Sequence, residues 1–134
     1  MKLTSAVMFV TELDRSVTFY ERLLAVTATV QTGEAALLVT ADGDQLYLRA
    51  IGDRAQHPLG AVGIQYLIWT ANDRGELDRC ETLLREQSAR VTRADVDDIA
   101  LLEGPGPDGV PIMISYPGPT ATPREEIIER IYAW

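Results

Sequence analysis

One histidine, His57, and one cysteine, Cys80, are the chain's whole stock of imidazole and thiol. Those groups carry much of the nucleophilic, proton-transfer and transition-metal chemistry of proteins. A Ser-His-Asp set would have to be built on His57. That residue stands beside Pro58 in the polar stretch GDRAQHPLG, residues 52–60, and reads as a solvated loop side chain. One thiol permits neither an internal disulfide nor a cysteine-based metal cluster. Cys80 falls among apolar helical positions and reads as a structural thiol. Carboxylates are plentiful, but Asp98 and Glu103 fall on opposite faces of any regular strand through 97–103, so they do not form a paired-acid site. The segment GPGPDG, residues 104–109, holds prolines and leads into no helix, unlike a phosphate-binding loop.

The more informative signal is a repeat. DGDQLYL, residues 42–48, and PDGVPIMISYP, residues 107–117, each place an Asp-Gly turn ahead of a strand, and the two turns lie 66 positions apart. At the same offset from the turn stand Tyr47 and Met113, neither of them a carboxylate. The elements around these stretches repeat too. Residues 3–10 read as a strand. Residues 12–24 read as a helix with Leu13, Val17, Tyr20, Leu23 and Leu24 on one stripe, started by Thr11 and Asp14 in the manner of a capping box. Strands follow at 26–32, 35–41 and 45–51. After the linker at 52–60 the order starts again: a strand at 61–70, then a helix capped by Asn72 and running to about 88, with Leu77, Cys80, Leu83 and Leu84 inward. Strands at 90–93, 97–103 and 110–116 complete it. Self-similarity of this kind makes each half one supersecondary unit. The expectation is an α+β fold of two βαβββ modules, 1–51 and 61–117, forming curled mixed sheets around a central cavity. A tail at 118–134 ends in a helix with Ile127, Ile128, Ile131 and Trp134 on one side. That stripe packs on its own domain or across a dimer.

LDRSVTFYERLL, residues 13–24, resembles the first-helix signature of the glyoxalase, bleomycin-resistance and extradiol-dioxygenase group, the vicinal oxygen chelate superfamily. PDGVPIMISYP resembles that group's last-strand signature, and the paired modules extend the resemblance over residues 1–117. The resemblance implies four strand positions which, in metal-using members, hold two His and two Glu. Here those positions are Ser5, Tyr47, Gln65 and Met113. None is a good ligand for Zn²⁺, Fe²⁺ or Mn²⁺, so no metal and no other cofactor is expected.

Strand alternation then extends the lining of the implied cavity. Val7 and Phe9 follow Ser5, Gln45 and Arg49 go with Tyr47, Leu67 and Trp69 follow Gln65, and Ser115 goes with Met113. The opposite face (Ala6, Met8, Val10, Leu46, Leu48, Ile64, Ile68, Ile112 and Ile114) is a plain apolar layer for the helices. Phe9, Tyr47, Trp69 and Met113 offer flat or adaptable surfaces to a planar ligand. Ser5, Gln45, Gln65 and Ser115 offer hydrogen bonds. Arg49 calls for an anion, from a ligand carboxylate or from Asp98 or Glu103, unless it reaches out to solvent.

A net charge of −8 without a basic stripe argues against nucleic acid and admits a cationic ligand. No apolar run approaches the roughly 20 residues of a membrane helix. The start MKLTSAVMFV is too short and too polar for a signal peptide, so a cytoplasmic protein is expected. The resemblance implies a homodimer that binds a small aromatic or cationic organic molecule, such as an antibiotic or natural product, as the metal-free, antibiotic-sequestering members do. The alternative is an enzyme of the same superfamily, a lyase, isomerase or dioxygenase, metal-free or with an unusual ligand set.

Overall fold

The computed structural model describes residues 5–54, 67–96 and 98–118. The chain divides into two compact units, residues 1–56 and 57–134. Among the described residues, each holds one open four-stranded mixed sheet and one α-helix.

In the first unit the elements are β1 (Ser5–Val10), α1 (Leu13–Leu24), β2 (Val30–Gln31), β3 (Ala35–Val39) and β4 (Gln45–Ala50). The sheet order is β1-β4-β3-β2, with β1 parallel to β4 and the other pairs antiparallel. Of the expected α1 stripe Leu13, Val17, Tyr20 and Leu23 are buried and Leu24 is half-buried, while Phe19 and Ser16 are buried beside them. They pack on β3 and β4, where Ala36, Leu38, Leu46 and Leu48 are buried in turn. Burial of four or five such side chains, at about 1.5–3 kcal/mol each, is what holds the helix on the sheet. Tyr20 donates its hydroxyl to Met8 Sδ at 3.2 Å, which ties β1 to the same core.

The helix starts one residue later than the capping-box reading requires. Its N-cap is Glu12, which makes no side-chain cap hydrogen bond. At its far end Ala25 takes the left-handed conformation, φ 53°, so that its N–H and that of Val26 both reach Glu21 O. The strand expected at 26–32 is confined to Val30–Gln31, paired with Leu37 and Ala36.

In the second unit the elements are β5 (Leu67–Thr70), α2 (Arg74–Gln87), β6 (Thr92–Val96), β7 (Ile99–Pro105) and β8 (Pro111–Tyr116). The order β5-β8-β7-β6 repeats the first sheet, with β5 parallel to β8. Leu77, Cys80, Leu83 and Leu84 are the buried residues of α2, as its periodicity predicts. The cap is Asp73 instead of Asn72: its carboxylate accepts from Glu76 N at 2.8 Å. Asn72, one residue earlier, donates its backbone and side-chain N–H groups to Glu76 Oε2. Arg93 on β6 reaches across to α2 and pairs with Asp78 and Glu81.

The two Asp-Gly turns are built alike. Thr40 N donates to Asp44 O and Gly43 N to Thr40 O; Gly106 N donates to Val110 O and Gly109 N to Gly106 O. Gly43 and Gly109 sit at φ 86° and 73°, which only glycine adopts without strain. The expected tail helix and the first strand residues of the second unit, 61–66, lie outside the described residues. No helix among the described residues is long and apolar enough to cross a membrane.

Candidate functional site

The register of the first sheet fixes which side chains share a face. Val7 pairs with Tyr47, Tyr47 with Leu37, and Leu37 with Val30, so these four form one cross-strand row. Phe9, Arg49 and Ala35 form the next row, and Ser5, Gln45 and Val39 the row on the other side. Because strand side chains alternate, all of these lie opposite the face that α1 covers. The sequence reading places Ser5, Phe9, Gln45, Tyr47 and Arg49 together, and the register does bring them to one face.

That face is open. Val7 is 68% exposed, Phe9 60%, Val30 52% and Tyr47 39%. Single exposed apolar side chains are ordinary, but Val7, Phe9 and Tyr47 on neighbouring positions of one sheet face, joined to Val30 through half-buried Leu37, form a patch of the kind that marks a binding surface. Its polar groups are few. The Tyr47 hydroxyl donates to Gln45 Oε1 at 3.4 Å. Arg49 Nη2 lies 3.5 Å from Glu34 Oε2, and both side chains are more than half exposed. The anion that Arg49 calls for is therefore Glu34, just before β3, whose carbonyl also accepts from Ala50 N at 2.8 Å. Val30, Leu37 and Glu34 are the members that strand-by-strand reading misses; counting the register on through the β3–β4 hairpin and into β2 finds all three.

The second sheet departs from expectation at β5. Ile68, not Trp69, pairs with Met113, and Trp69 pairs with Ile114. Ile114 pairs with Leu102, and Leu102 with Arg93, whose guanidinium contacts α2. Trp69 therefore lies on the helix-facing side, opposite Met113, and Leu67 lies with it. Ile68, expected on the helix side, shares the face of Met113 and is 45% exposed. The expected phase of this strand is off by one residue, and a one-residue slip exchanges the faces.

The row through Met113 runs Ile68, Met113, Glu103, Thr92. Glu103 Oε2 accepts from Thr92 Oγ1 at 3.3 Å. Met113 and Ser115 are fully buried, and Ser115 Oγ donates to Trp69 O at 3.4 Å. Gln65 and His57 lie outside the described residues.

Cys80 is buried, and that burial, more than the nearby Glu76, pushes its thiol above the ordinary thiol value against the opposing pull of Arg79. It is held as a neutral core group. Among the described residues no three His, Cys, Asp or Glu side chains come together as a metal site would require. Ser5, Tyr47 and Met113, at positions where the family resemblance implies metal ligands, offer a hydroxyl, a phenol and a thioether. They do not fit a divalent transition ion.

No protein-family model and no curated protein matches the chain. Solved structures do. A glyoxylase/bleomycin resistance protein/dioxygenase domain from Frankia sp. EAN1pec superposes with a TM-score of 0.72 at 18% identity, covering 86% of this chain and 96% of that one. Lactoylglutathione lyase from Agrobacterium tumefaciens gives 0.62 at 18% identity, with 85% and 92% covered. The oxidase ChaP-H1 gives 0.67 at 17% identity, with 91% and 99% covered. At such identities the likeness establishes the fold, which is the glyoxalase-like fold of the vicinal oxygen chelate proteins, and leaves the choice between binding and catalysis to other observations.

Proposed function

We propose that the chain is a metal-free binding protein for a small aromatic or cationic organic molecule, an antibiotic or natural product, held on the open face of the first sheet. The observation that carries this reading is the exposure of Val7, Phe9, Val30 and Tyr47 beside Gln45 and Arg49. A sheet face left this apolar costs hydration free energy until a partner covers it. Flat aromatic ligands match it through offset or edge contacts with Phe9 and Tyr47. Ser5, Tyr47 and Met113, at the positions where the family resemblance implies metal ligands, support metal independence. Protein dialysed against a strong chelator should bind an aromatic panel as well as protein supplied with Zn²⁺, Ni²⁺, Fe²⁺ or Mn²⁺. A stoichiometric metal in purified protein, with binding lost on its removal, defeats the proposal.

A second reading is a metal-free enzyme in which Tyr47 acts as an acid. What favours it is the placement of the Tyr47 hydroxyl on the open face, hydrogen-bonded to Gln45. Tyr47→Phe separates the two: under the enzymatic reading it abolishes turnover and spares binding. The homodimer and the cytoplasmic location belong to the proposal through the family resemblance. Light scattering on the purified chain decides the first, and fractionation of the source cells the second.

A further inference from the structure

We infer that the molecule bound on this face is an aromatic carboxylate, with its ring on Val7, Phe9 and Tyr47 and its carboxylate on Arg49. The inference rests on the proposed binding role of the face and adds the ligand's charge. Three observations carry it. Among the described residues of the open face, Arg49 is the one cation, with Glu34 beside it as its counter-ion. It sits directly across from Phe9 and two residues along β4 from Tyr47. Neighbouring strands lie about 4.8 Å apart and two residues span about 7 Å, so a carboxylate joined to a fused or single ring spans both contacts. Finally, the partner Arg49 already has is easily displaced. Glu34 lies at 3.5 Å, with side-chain exposures of 57% for Arg49 and 78% for Glu34. An exposed pair of this kind contributes little, whereas a ligand carboxylate brought in by ring burial can take both guanidinium N–H groups at once.

The net charge of −8 points the other way, toward a cation. The two effects differ in range. At physiological ionic strength charges are screened beyond a Debye length of about 8 Å, so scattered surface acids bias encounter but not contact. A guanidinium in hydrogen-bond reach of the ligand is not screened in that way, and the local group decides the preference.

The test uses the full chain and three naphthalene probes of one shape: 2-naphthoate, 2-naphthamide and 2-naphthylmethylammonium, titrated by calorimetry at 0.15 M salt. Naphthoate should bind about tenfold more tightly than the amide, equivalent to about 1.4 kcal/mol. The ammonium should bind most weakly. Arg49→Gln should bring naphthoate and amide within about twofold of each other, and Glu34→Gln should strengthen naphthoate alone by about two- to threefold, since it removes the competitor. Both substitutions fall on exposed side chains, and circular dichroism of each variant checks that the fold is kept. Equal binding of acid and amide, or tighter binding of the ammonium, overturns the carboxylate assignment and leaves the binding role standing. Failure of all three probes to bind overturns both.

Discussion

Replacing Phe9 by Thr removes the more exposed of the two aromatic rings in the open patch and keeps a residue suited to a strand. An aromatic side chain buries about 200 Å² when fully covered. Phe9 is 60% exposed, so about 120 Å² is available to a ligand and about 80 Å² already packs within the protein. At about 25 cal/mol per Å² the first area is worth up to about 3 kcal/mol of binding and the second up to about 2 kcal/mol of stability. Partial coverage by a small ligand halves the first figure, which leaves about a tenfold loss of affinity for 2-naphthoate. Calorimetric titration gives the affinity, and urea unfolding at the same pH gives the stability. An affinity within twofold of wild type, in a variant whose fold and stability are retained, would refute the claim that this ring is a ligand platform.

Other perturbations test the frame that carries the face. Arg93→Met removes the guanidinium that bridges β6 to Asp78 and Glu81 of α2. Asp78 is mostly exposed and contributes little; Glu81 is 20% exposed, so the loss should be about 1–2 kcal/mol by urea unfolding at pH 7. The Glu81 carboxyl is held below its ordinary value of 4.5 by its hydrogen bonds from Arg93 first and Arg85 second. A depressed folded-state pKa stabilises above the unfolded value, so the gap between wild type and variant should be full at pH 7 and shrink as the pH falls below about 4.5. Gly109→Ala places a side chain at φ +73° and should cost about 1 kcal/mol; Gly33→Ala, which meets nothing within 4 Å, should stay within about 0.5 kcal/mol of wild type. Cys80, whose burial raises its thiol pKa, should react with an aromatic disulfide at least about tenfold more slowly in folded protein than in urea.

The duplicated architecture was legible because two independent patterns, the Asp-Gly turns and the helix stripes, repeat at similar intervals, 66 and 60 positions. The open face of the first unit was legible for a related reason. In Gln45-Leu46-Tyr47-Leu48-Arg49 polar or amphipathic residues alternate with leucine, and the parallel pairing carries that phase into β1. β5 offered no such guide. Leu67, Ile68 and Trp69 are apolar in succession, and a strand with apolar residues on both faces reads as a continuous run without a phase. Its faces are set instead by pairing with β8, where Met113 meets Ile68. The partner of Arg49 escaped the sequence reading because Glu34 is remote along the chain and comes close only through the β3–β4 register. The N-cap of α2 shifted by one residue because Asn72 and Asp73 are both good caps, and both find bonds, the carboxylate at the cap and the amide outside it.

The most direct measurement is a titration of isotope-labelled protein with 2-naphthoate followed by backbone amide shifts. The predicted result is a saturable set of changes centred on Phe9 of β1 and on Tyr47 and Arg49 of β4, unaltered by a chelator. Shifts confined to α2 and the second sheet, or no shift at millimolar ligand, would contradict it.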